Sequence, residues 1–266
     1  MSSEGACGLI DVSGILASGS ASGLTVGIGA GDKAVRELRG QIEARGSAVS
    51  VEPFGNAEEL LRSLRSGGID AAVRGTLGSV DAIRELKRSF SIEGVMRAAI
   101  LEDASLHPFI LAPVGIDEGS TMATRLELAL ATVAYFGSVQ WSLRIGVLSK
   151  GRPEDASRGR AIKESIEDAE KLVGALRSKG FEARHYGILI EDAARECDFV
   201  LPPDGVSGNL IFRTLHFLGG CTAFGAPVVN IAPVFVDTSR AKAGFLEPVL
   251  LAAGLAEARR KARPRA

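Results

Sequence analysis

The sequence predicts an α/β fold in which a parallel sheet is covered by helices on both faces. Short apolar runs alternate with amphipathic helical patterns along most of the 266 residues, and 46% of the residues are hydrophobic. Strands that alternate with helices pair in parallel because the strand–helix–strand crossover is right-handed. A chain of this size and apolar content can bury a full core, either as one large domain or as two linked ones.

The predicted elements follow one another in regular order. The first part of the chain gives strands and helices in alternation: a strand over 24–28, a helix over 32–45, a strand over 48–51, a helix over 57–66, and a strand over 69–73 followed by a helix through residue 87. Further on, the pattern indicates strands at 95–101, 109–112 and 143–148 and helices at 120–136 and 158–178. These assignments rest on apolar spacing of two residues for strands and 3.6 for helices. Residues 13–23, rich in Gly, Ser and Ala, are predicted to be a flexible lead-in.

Composition and charge restrict the classes of partner. The formal net charge is −1, so no global field recruits nucleic acid or a membrane surface. No apolar stretch reaches transmembrane length. Three cysteines, Cys7, Cys197 and Cys221, are odd in number and lack metal-ligand spacing, which is typical of reduced thiols in a cytoplasmic protein. The three histidines show no ligand spacing either, so the sequence predicts neither a metal site nor a catalytic triad.

A glycine-rich turn raises the possibility of a dinucleotide site. The segment Gly27-Ile-Gly29-Ala-Gly31-Asp32 lies between a predicted strand and helix, and Glu52 ends the next strand. The spacing is G-x-G-x-G, however, rather than the G-x-G-x-x-G that binds a pyrophosphate. We therefore prefer a helix N-cap role for Asp32 and keep an NAD-dependent oxidoreductase as the least favoured alternative.

The region from 198 to 240 carries the strongest chemical signal. A strand at 198–201 runs into Pro202-Pro203-Asp204-Gly205-Val206-Ser207-Gly208-Asn209, and an apolar helix and a second strand lead to Asp237-Thr238-Ser239-Arg240. A helix that starts at Ser207–Asn209 would present unpaired N–H groups able to hold a phosphate or a carbonyl oxygen. In the alternative interpretation, Asp204-Gly205 is a turn and Ser207 or Asn209 an N-cap. Ser239 and Arg240 favour the first, since a guanidinium beside a hydroxyl suits a phosphate.

A third segment places polar residues after the strand at 69–73. Arg74 stands at the end of this strand, and Ser79, Asp81 and Arg84 open the helix that follows. Ligands of open α/β sheets collect at the carboxyl ends of the strands. A solvated helix face is the competing interpretation for Arg84 and its neighbours.

These three segments, in this order, resemble the phosphate acetyl/butyryltransferase family, and within it the methanogen marker protein 4 group, also called MtxX. The resemblance covers most of residues 24–255. It implies a two-domain, isocitrate/isopropylmalate-dehydrogenase-like fold. The first α/β domain would be discontinuous, comprising 1–90 plus 225–266, and the second would comprise 91–224, with a cleft between them. The resemblance also implies a homodimer and links the chain to methyltransferase subunits.

The resemblance implies acyl transfer between coenzyme A and phosphate at the cleft, with coenzyme A or acyl-CoA as substrate and no tightly bound cofactor. The residues it assigns to catalysis are Ser239, Arg240 and Asp237. The residues it assigns to substrate binding are Ser79, Asp81, Arg84, Asp204, Ser207, Gly208, Asn209 and Thr238. We add Arg74, which stands at the end of its strand where the family tends to have a small residue. Arg84, Ser239, Arg240 and the helix start at 207–209 are expected to converge on one anion site.

One departure from the family pattern affects catalysis. Where the family has the acid proposed as base for the coenzyme A thiol, this chain has Leu246, followed by Glu247. Asp237 and Glu247 are therefore the candidate bases. The alternative function is a non-catalytic or divergent subunit of a methanogen methyltransferase system that binds a small phosphorylated or CoA-linked ligand.

Overall fold

The structure is a computed structural model that describes residues 10–105, 107–239 and 244–262. It contains ten strands: β1 (Thr25–Ile28), β2 (Ser50–Pro53), β3 (Ala71–Val73), β4 (Ala99–Glu102), β5 (Pro108–Leu111), β6 (Ile145–Leu148), β7 (Ala183–Gly187), β8 (Phe199–Leu201), β9 (Thr222–Pro227) and β10 (Val234–Asp237). Its α-helices are α1 (Val12–Ala21), α2 (Asp32–Ala44), α3 (Ala57–Ser66), α4 (Ser79–Phe90), α5 (Met122–Gly137), α6 (Arg160–Ser178), α7 (Ile190–Glu196), α8 (Gly205–Phe217) and α9 (Leu246–Ala262). A 3₁₀ helix, Pro153–Arg158, precedes α6. The predicted α/β class is thereby confirmed.

The described chain divides into two compact units. The terminal unit comprises Asp11–Val95 together with residues 224–262, and the middle unit comprises Met96–Ala223 with Ile10. Each unit has its own strands and its own helices. The predicted cleft remains a prediction.

In the terminal unit the strands follow the order β2-β1-β3-β10-β9. The pairs β1–β2, β1–β3 and β3–β10 are parallel, whereas β10 and β9 are antiparallel. One core cluster of this unit packs α3 and α4 against the sheet through Leu60, Leu61, Leu64, Leu86 and Phe235. Apolar residues of α3 recur on one face, and the helix begins at the N-cap Asn56 and ends at Gly67, whose φ is 78°. These signals placed the predicted helix at 57–66 correctly.

In the middle unit the strands follow the order β4-β5-β8-β6-β7. The pairs β5–β8, β8–β6 and β6–β7 are parallel, but β4 and β5 pair in antiparallel register, Ala99 opposite Leu111. The parallel pairing predicted from the alternation of strands and helices is confirmed for β1, β2 and β3, but it is wrong for β9 with β10 and for β4 with β5. Only five residues separate Glu102 from Pro108 in the sequence, and a parallel connection requires a crossover of a dozen residues or more.

The predicted flexible lead-in at 13–23 is also wrong, because these residues form α1. Asp11 caps this helix by accepting a hydrogen bond from Gly14 N at 2.7 Å. A Cβ on Gly19 would overlap the backbone of α9 at Leu250, and a Cβ on Gly254 would overlap the backbone of α1 at Ile15. The small residues thus allow two helices to pack backbone against backbone.

The glycine-rich turn after β1 is explained by packing. A Cβ on Gly27 would overlap Ile69, and one on Gly29 would overlap Leu77. Asp32 is the first residue of α2, while Gly31 takes the N-cap position without a side-chain hydrogen bond. The predicted N-cap role of Asp32 is therefore wrong, and its carboxylate instead lies in the first turn, where it suits the helix dipole.

Among the described residues, no helix is long and apolar enough to span a bilayer.

Candidate functional site

Three of the sequence-predicted site residues meet at the ends of β3 and β10 in the terminal unit. The Arg74 guanidinium, 5% exposed, donates from Nε to Asp237 Oδ1, from Nη2 to the Thr238 carbonyl and from Nη1 to the Leu77 carbonyl. Asp237 also accepts from Thr238 N at 2.8 Å, and the Thr238 hydroxyl donates to Gly75 O at 3.1 Å. A guanidinium with this many protein partners joins two strand ends. The prediction that Arg74 and Thr238 bind substrate finds no support in these contacts.

Ser239 and Arg240 follow Asp237 and Thr238 in the sequence and complete the predicted motif. Ser239 is partly buried after β10 and takes part in a polar interaction. Arg240 lies outside the described residues. The predicted catalytic pair is therefore a prediction that the fold neither supports nor contradicts.

Ser79, Asp81 and Arg84 lie at the start of α4. Ser79 is the first helical residue, and Arg84 Nη2 donates to Asp81 Oδ1 at 2.6 Å with both side chains more than half exposed. Asp81 and Arg84 line a cavity of 300 Å³, together with Glu58 and Glu85. Glu58 and Glu85 are paired with Arg88, at 3.2 and 2.9 Å, so the carboxylates and guanidinium groups of this cavity largely satisfy one another.

The start of α8 differs from the predicted one. The helix begins at Gly205, and Asp204 is its N-cap, accepting from Ser207 N at 2.8 Å. Gly205 N donates to the Glu118 carbonyl at 2.9 Å. The prediction of a helix start at Ser207–Asn209 is therefore wrong, and the N–H groups of Ser207 and Gly208, which were expected to face a ligand, both donate to Asp204.

Gly208 and Asn209 hold α8 against the loop that follows β5. A Cβ on Gly208 would overlap the Pro113 carbonyl, and Asn209 Nδ2 donates to Val114 O at 2.9 Å. Gly208 thus allows a close approach of the protein's own backbone rather than of a ligand. Both residues position α8 within the middle unit.

Arg125, a residue with no predicted role, is a buried charge of the middle unit with unsatisfied donor atoms. It lies one turn into α5 and is 3% exposed. Among the described residues, its Nε and Nη1 have no hydrogen-bond partner, and its nearest carboxylate oxygen, Asp168 Oδ2, is 3.8 Å from Nη2. A buried cation without partners is costly, and such groups are typical of ligand sites.

Lys150 and Asp204 are two further charged residues in this neighbourhood. We call Arg125, Lys150, Asp168 and Asp204 the Arg125 site. Burial lowers the pKa of the Arg125 guanidinium, and the carboxylates of Asp168 and Asp204 partly offset that effect. Lys150 Nζ lies 3.3 Å from Asp204 Oδ2. Burial raises the pKa of Asp204, but hydrogen bonds from Ser207 and Lys150 outweigh it, and the pKa is lowered overall. Two cations and two carboxylates therefore stand close to the starts of α5 and α8.

A second polar cluster of the middle unit links β6, β7 and α6. His185 Nε2 lies 2.7 Å from Ser149 Oγ, and His185 Nδ1 lies 2.6 Å from Glu170 Oε1. The Ser149–His185–Glu170 arrangement resembles a hydrolytic triad. However, Ser149 is 2% exposed and its hydroxyl donates to Gly151 O at 2.7 Å. A buried serine whose proton is already engaged is not a poised nucleophile. The cluster orders the turn that carries Lys150.

The candidate bases differ in their surroundings. Asp237 is bound to Arg74, as described above. Leu246 is the first residue of α9, and Glu247 follows it, partly buried, in the first turn. For metals, the described residues contain no group of three or more His, Cys, Asp or Glu side chains arranged to hold an ion.

Comparison with solved structures defines the class. The fold matches a phosphotransacetylase from Streptococcus pyogenes with a TM-score of 0.67 over 97% of this chain and 98% of that one, at 14% identity. It matches a branched-chain phosphotransacylase from Enterococcus faecalis with a TM-score of 0.66, over 89% and 99%, at 16% identity. A 4-hydroxythreonine-4-phosphate dehydrogenase from Klebsiella pneumoniae matches with a TM-score of 0.53, over 79% and 78%, at 15% identity. The chain is therefore a protein of the phosphotransacetylase fold.

Sequence comparison narrows the class to a family. A protein of Methanosarcina acetivorans named "Putative methyltransferase mtx subunit X" is 40% identical over 216 residues, 81% of this chain and 77% of the relative. A protein of Methanopyrus kandleri, named an uncharacterized methyltransferase, is 39% identical over 203 residues, 74% of this chain and 79% of the relative. The chain belongs to the MtxX family, as its overall resemblance predicted. No family model matches the chain.

Proposed function

We propose that the chain is a ligand-binding subunit of a methyltransferase system, and that it binds a small phosphorylated molecule through Arg125. The observation that carries the proposal is the unsatisfied guanidinium of Arg125, 3% exposed with Nε and Nη1 free of partners among the described residues. Each of these two atoms carries N–H donors that the oxygens of a phosphate accept well. A ligand anion would supply the missing hydrogen bonds and offset the cost of burying the charge.

The names of relatives and structural neighbours support the choice of ligand and setting. Phosphotransacetylases and 4-hydroxythreonine-4-phosphate dehydrogenases differ in chemistry, but both names refer to a phosphorylated compound. Relatives at about 40% identity are named as methyltransferase subunits. Lys150 lies within reach of a second anionic group, although the carboxylates of Asp168 and Asp204 limit how much negative charge the site accepts. Buried free thiols at Cys197 and Cys221 favour a reducing, cytoplasmic location.

Calorimetry with a matched pair of variants tests the proposal. Inorganic phosphate, acetyl phosphate and coenzyme A are titrated into the wild-type chain and into the Arg125→Met and Arg160→Met variants. Each variant loses one positive charge, but Arg160 is 91% exposed in its side chain and pairs with Glu164 on the surface of α6. We expect Arg125→Met to weaken binding more than tenfold, the loss of about 1.5–3 kcal/mol that a charged hydrogen bond carries. Equal binding by all three proteins, or binding by none, would contradict the proposal.

Acyl transfer is the second candidate function, and Glu247 favours it. A carboxylate in the first turn of α9, next to the position where the family has its acid, could accept the proton of the coenzyme A thiol. The thiolate would then attack the carbonyl of an acyl phosphate, forming acyl-CoA and releasing phosphate. Coenzyme A would thus be a substrate and no cofactor would be bound. Acyl-CoA formation that is abolished by Glu247→Gln would place this function ahead of simple binding, whereas its absence is what the first proposal expects.

A further inference from the structure

The turn Ser149-Lys150-Gly151, which follows β6, carries a cation to the Arg125 site. One backbone group of the turn is held by α6, because Lys150 N donates to Ser165 Oγ at 3.1 Å. The end of the turn is held by a side chain instead, since the Ser149 hydroxyl donates to Gly151 O at 2.7 Å. The shape of the turn therefore depends on where the single hydroxyl proton of Ser149 goes.

His185 of β7 lies against this turn with both ring nitrogens engaged. Its Nε2 is 2.7 Å from Ser149 Oγ, and its Nδ1 is 2.6 Å from Glu170 Oε1 on α6. The Gly151 carbonyl can only accept, so it takes the one proton of the Ser149 hydroxyl. Ser149 Oγ must then accept from Nε2, and the carboxylate of Glu170 accepts from Nδ1. A ring that donates from both nitrogens is an imidazolium ion, and this is the form of His185 that satisfies all three contacts.

The charged groups on the Ser149 side of β7 are few. The His185 side chain is 6% exposed, whereas that of Glu170 is 58% exposed. The 3₁₀ helix that packs on α6 carries Asp155, but this carboxylate accepts from Arg152 N at 2.9 Å. The residue opposite His185 on β6 is Val147, which is apolar. Glu170 is therefore the carboxylate that compensates the charge of the ring.

The other ionisable groups close to His185 lie on the opposite face of β7. Arg184 and Tyr186 flank His185 in the sequence, and side chains of a strand alternate between its faces. Glu196 of α7 accepts from both of them, at 2.9 and 2.8 Å. These groups satisfy one another and leave the contacts of His185 to Ser149 and Glu170.

Loss of the ring proton breaks one hydrogen bond of the turn. A hydrogen bond to a carboxylate is roughly twice as strong as one between neutral groups, so neutral His185 keeps its remaining proton on Nδ1, facing Glu170. Nε2 then becomes an acceptor and takes the Ser149 proton away from the Gly151 carbonyl. Ser149 is 2% exposed, so water does not replace the lost bond, and the turn is weakened.

We propose that His185 is a positioning residue for Lys150, and that its protonation strengthens anion binding at the Arg125 site. The inference rests on the proposed function. Lys150 Nζ lies 3.3 Å from Asp204 Oδ2, and from there it offers a second cation to an anion bound by Arg125. The imidazolium form of His185 closes the turn and holds Lys150 in this place. The neutral form loosens the turn, and Lys150 is lost to solvent for part of the time.

Calorimetric titration with sulfate between about pH 5.5 and pH 8.5 tests the inference. Sulfate keeps the same charge throughout this range, whereas a phosphate group changes its own. The affinity of the wild-type chain should fall at least about threefold as the pH rises, the effect of weakening one partly exposed charge contact. His185→Gln has no ring proton to lose and should bind equally across the range. His216→Gln, the same substitution in the last turn of α8, should retain the wild-type fall.

The outcomes separate this inference from the anion site itself. Sulfate affinity that does not change with pH in the wild-type chain, or a fall that persists in His185→Gln, overturns the role of His185 and leaves the Arg125 site intact. No binding of sulfate by the wild-type chain at any pH contradicts the proposed function and the inference together.

Two further measurements do not require His185→Gln to fold. Glu170→Gln, at an exposed position of α6, removes the counter-charge of the imidazolium, so the fall in affinity should move to lower pH; a purely structural role would leave it in place. Nitrogen NMR of histidine-labelled wild-type chain, without ligand, should show both His185 nitrogens protonated at about pH 6. The His107→Gln and His216→Gln variants assign the signals. A neutral His185 ring at that pH would overturn the inference.

Discussion

The two units each contain a nearly buried arginine, and the protein treats the two differently. Arg74 of the terminal unit and Arg125 of the middle unit are 5% and 3% exposed. Arg74 donates to a carboxylate and two carbonyls, whereas Nε and Nη1 of Arg125 lack partners among the described residues. Burial alone therefore does not distinguish the architectural Arg74 from Arg125, for which we propose a ligand. The number of hydrogen bonds that the protein itself supplies does.

The largest expected loss of stability comes from replacing Arg74, whose guanidinium is hydrogen-bonded by the protein itself. Arg74→Leu removes the cation from Asp237 and leaves the Thr238 carbonyl without its donor. Loss of one partner from a buried pair costs about 3–5 kcal/mol. We expect urea unfolding of Arg74→Leu to show a reduced free energy of unfolding of that size. A loss below 1 kcal/mol, as at an exposed site, would show that the network contributes little.

Replacing Arg125 should change the free energy of unfolding in the opposite direction. Arg125→Met keeps side-chain length and apolar packing but removes a desolvated charge. Without ligand, its free energy of unfolding is expected to rise by about 1–3 kcal/mol, because replacing a poorly compensated buried charge by an apolar group is often stabilising. Urea unfolding in buffer free of phosphate and sulfate measures the change. A marked destabilisation would mean that Arg125 is architectural like Arg74.

The N-cap of α8, which lies beside Arg125, is expected to have an intermediate effect. Asp204→Ala removes the acceptor of Ser207 N and should cost about 1 kcal/mol, while Asp204→Asn, which can still cap, serves as control. The folded-state pKa of Asp204 is lowered, so its contribution is complete above the unfolded-state pKa of about 4 and is lost as the pH falls through the folded value. Unfolding curves at neutral and acidic pH should show the difference between wild type and Asp204→Ala shrink on acidification. A difference that grows instead would contradict this assignment.

The smallest effect is expected at the exposed arginine that sequence reasoning placed in the anion site. Arg84 pairs with Asp81 on the surface of α4, with side chains 72% and 62% exposed. Arg84→Ala should change the free energy of unfolding by less than about 0.5 kcal/mol. Its phosphate affinity, measured by calorimetry, should equal that of wild type if Arg125 is the anion site. A tenfold loss would instead favour the predicted site at 84, 239 and 240.

The sequence predicted those elements whose signals are local. Helix α3 has its N-cap, its apolar face and its terminal glycine within a dozen residues, and its bounds were predicted correctly. Helix α1 was missed because its stabilising contacts come from α9, more than two hundred residues later. The capping Asp11 was a local signal for α1 that could have been used.

The site was harder to predict because its contacts also join residues that are far apart in the sequence. Arg74 and Asp237 are 163 residues apart, so the sequence could place both at strand ends but could not reveal that they bind each other. Arg125 lies on the face of α5 that also carries Leu128, Ala129 and Thr132, all buried. A cation on an otherwise apolar helix face was the available signal for Arg125. Which atoms remain unsatisfied depends on packing that only the fold specifies.

The close contact of α1 with α9 has a consequence for biosynthesis. Residues 96–223 leave the ribosome before residues 224–262, so the middle unit can complete its core while the terminal unit still lacks α9 and β10. Until β10 and α9 emerge, β3 lacks its partner strand and Gly19 of α1 lacks the helix that packs against it. A chain truncated after residue 223 and released from the ribosome should therefore protect the middle unit from proteolysis while residues 11–95 remain cleavable. A late-forming terminal unit of this kind is a natural client for chaperones that bind nascent chains.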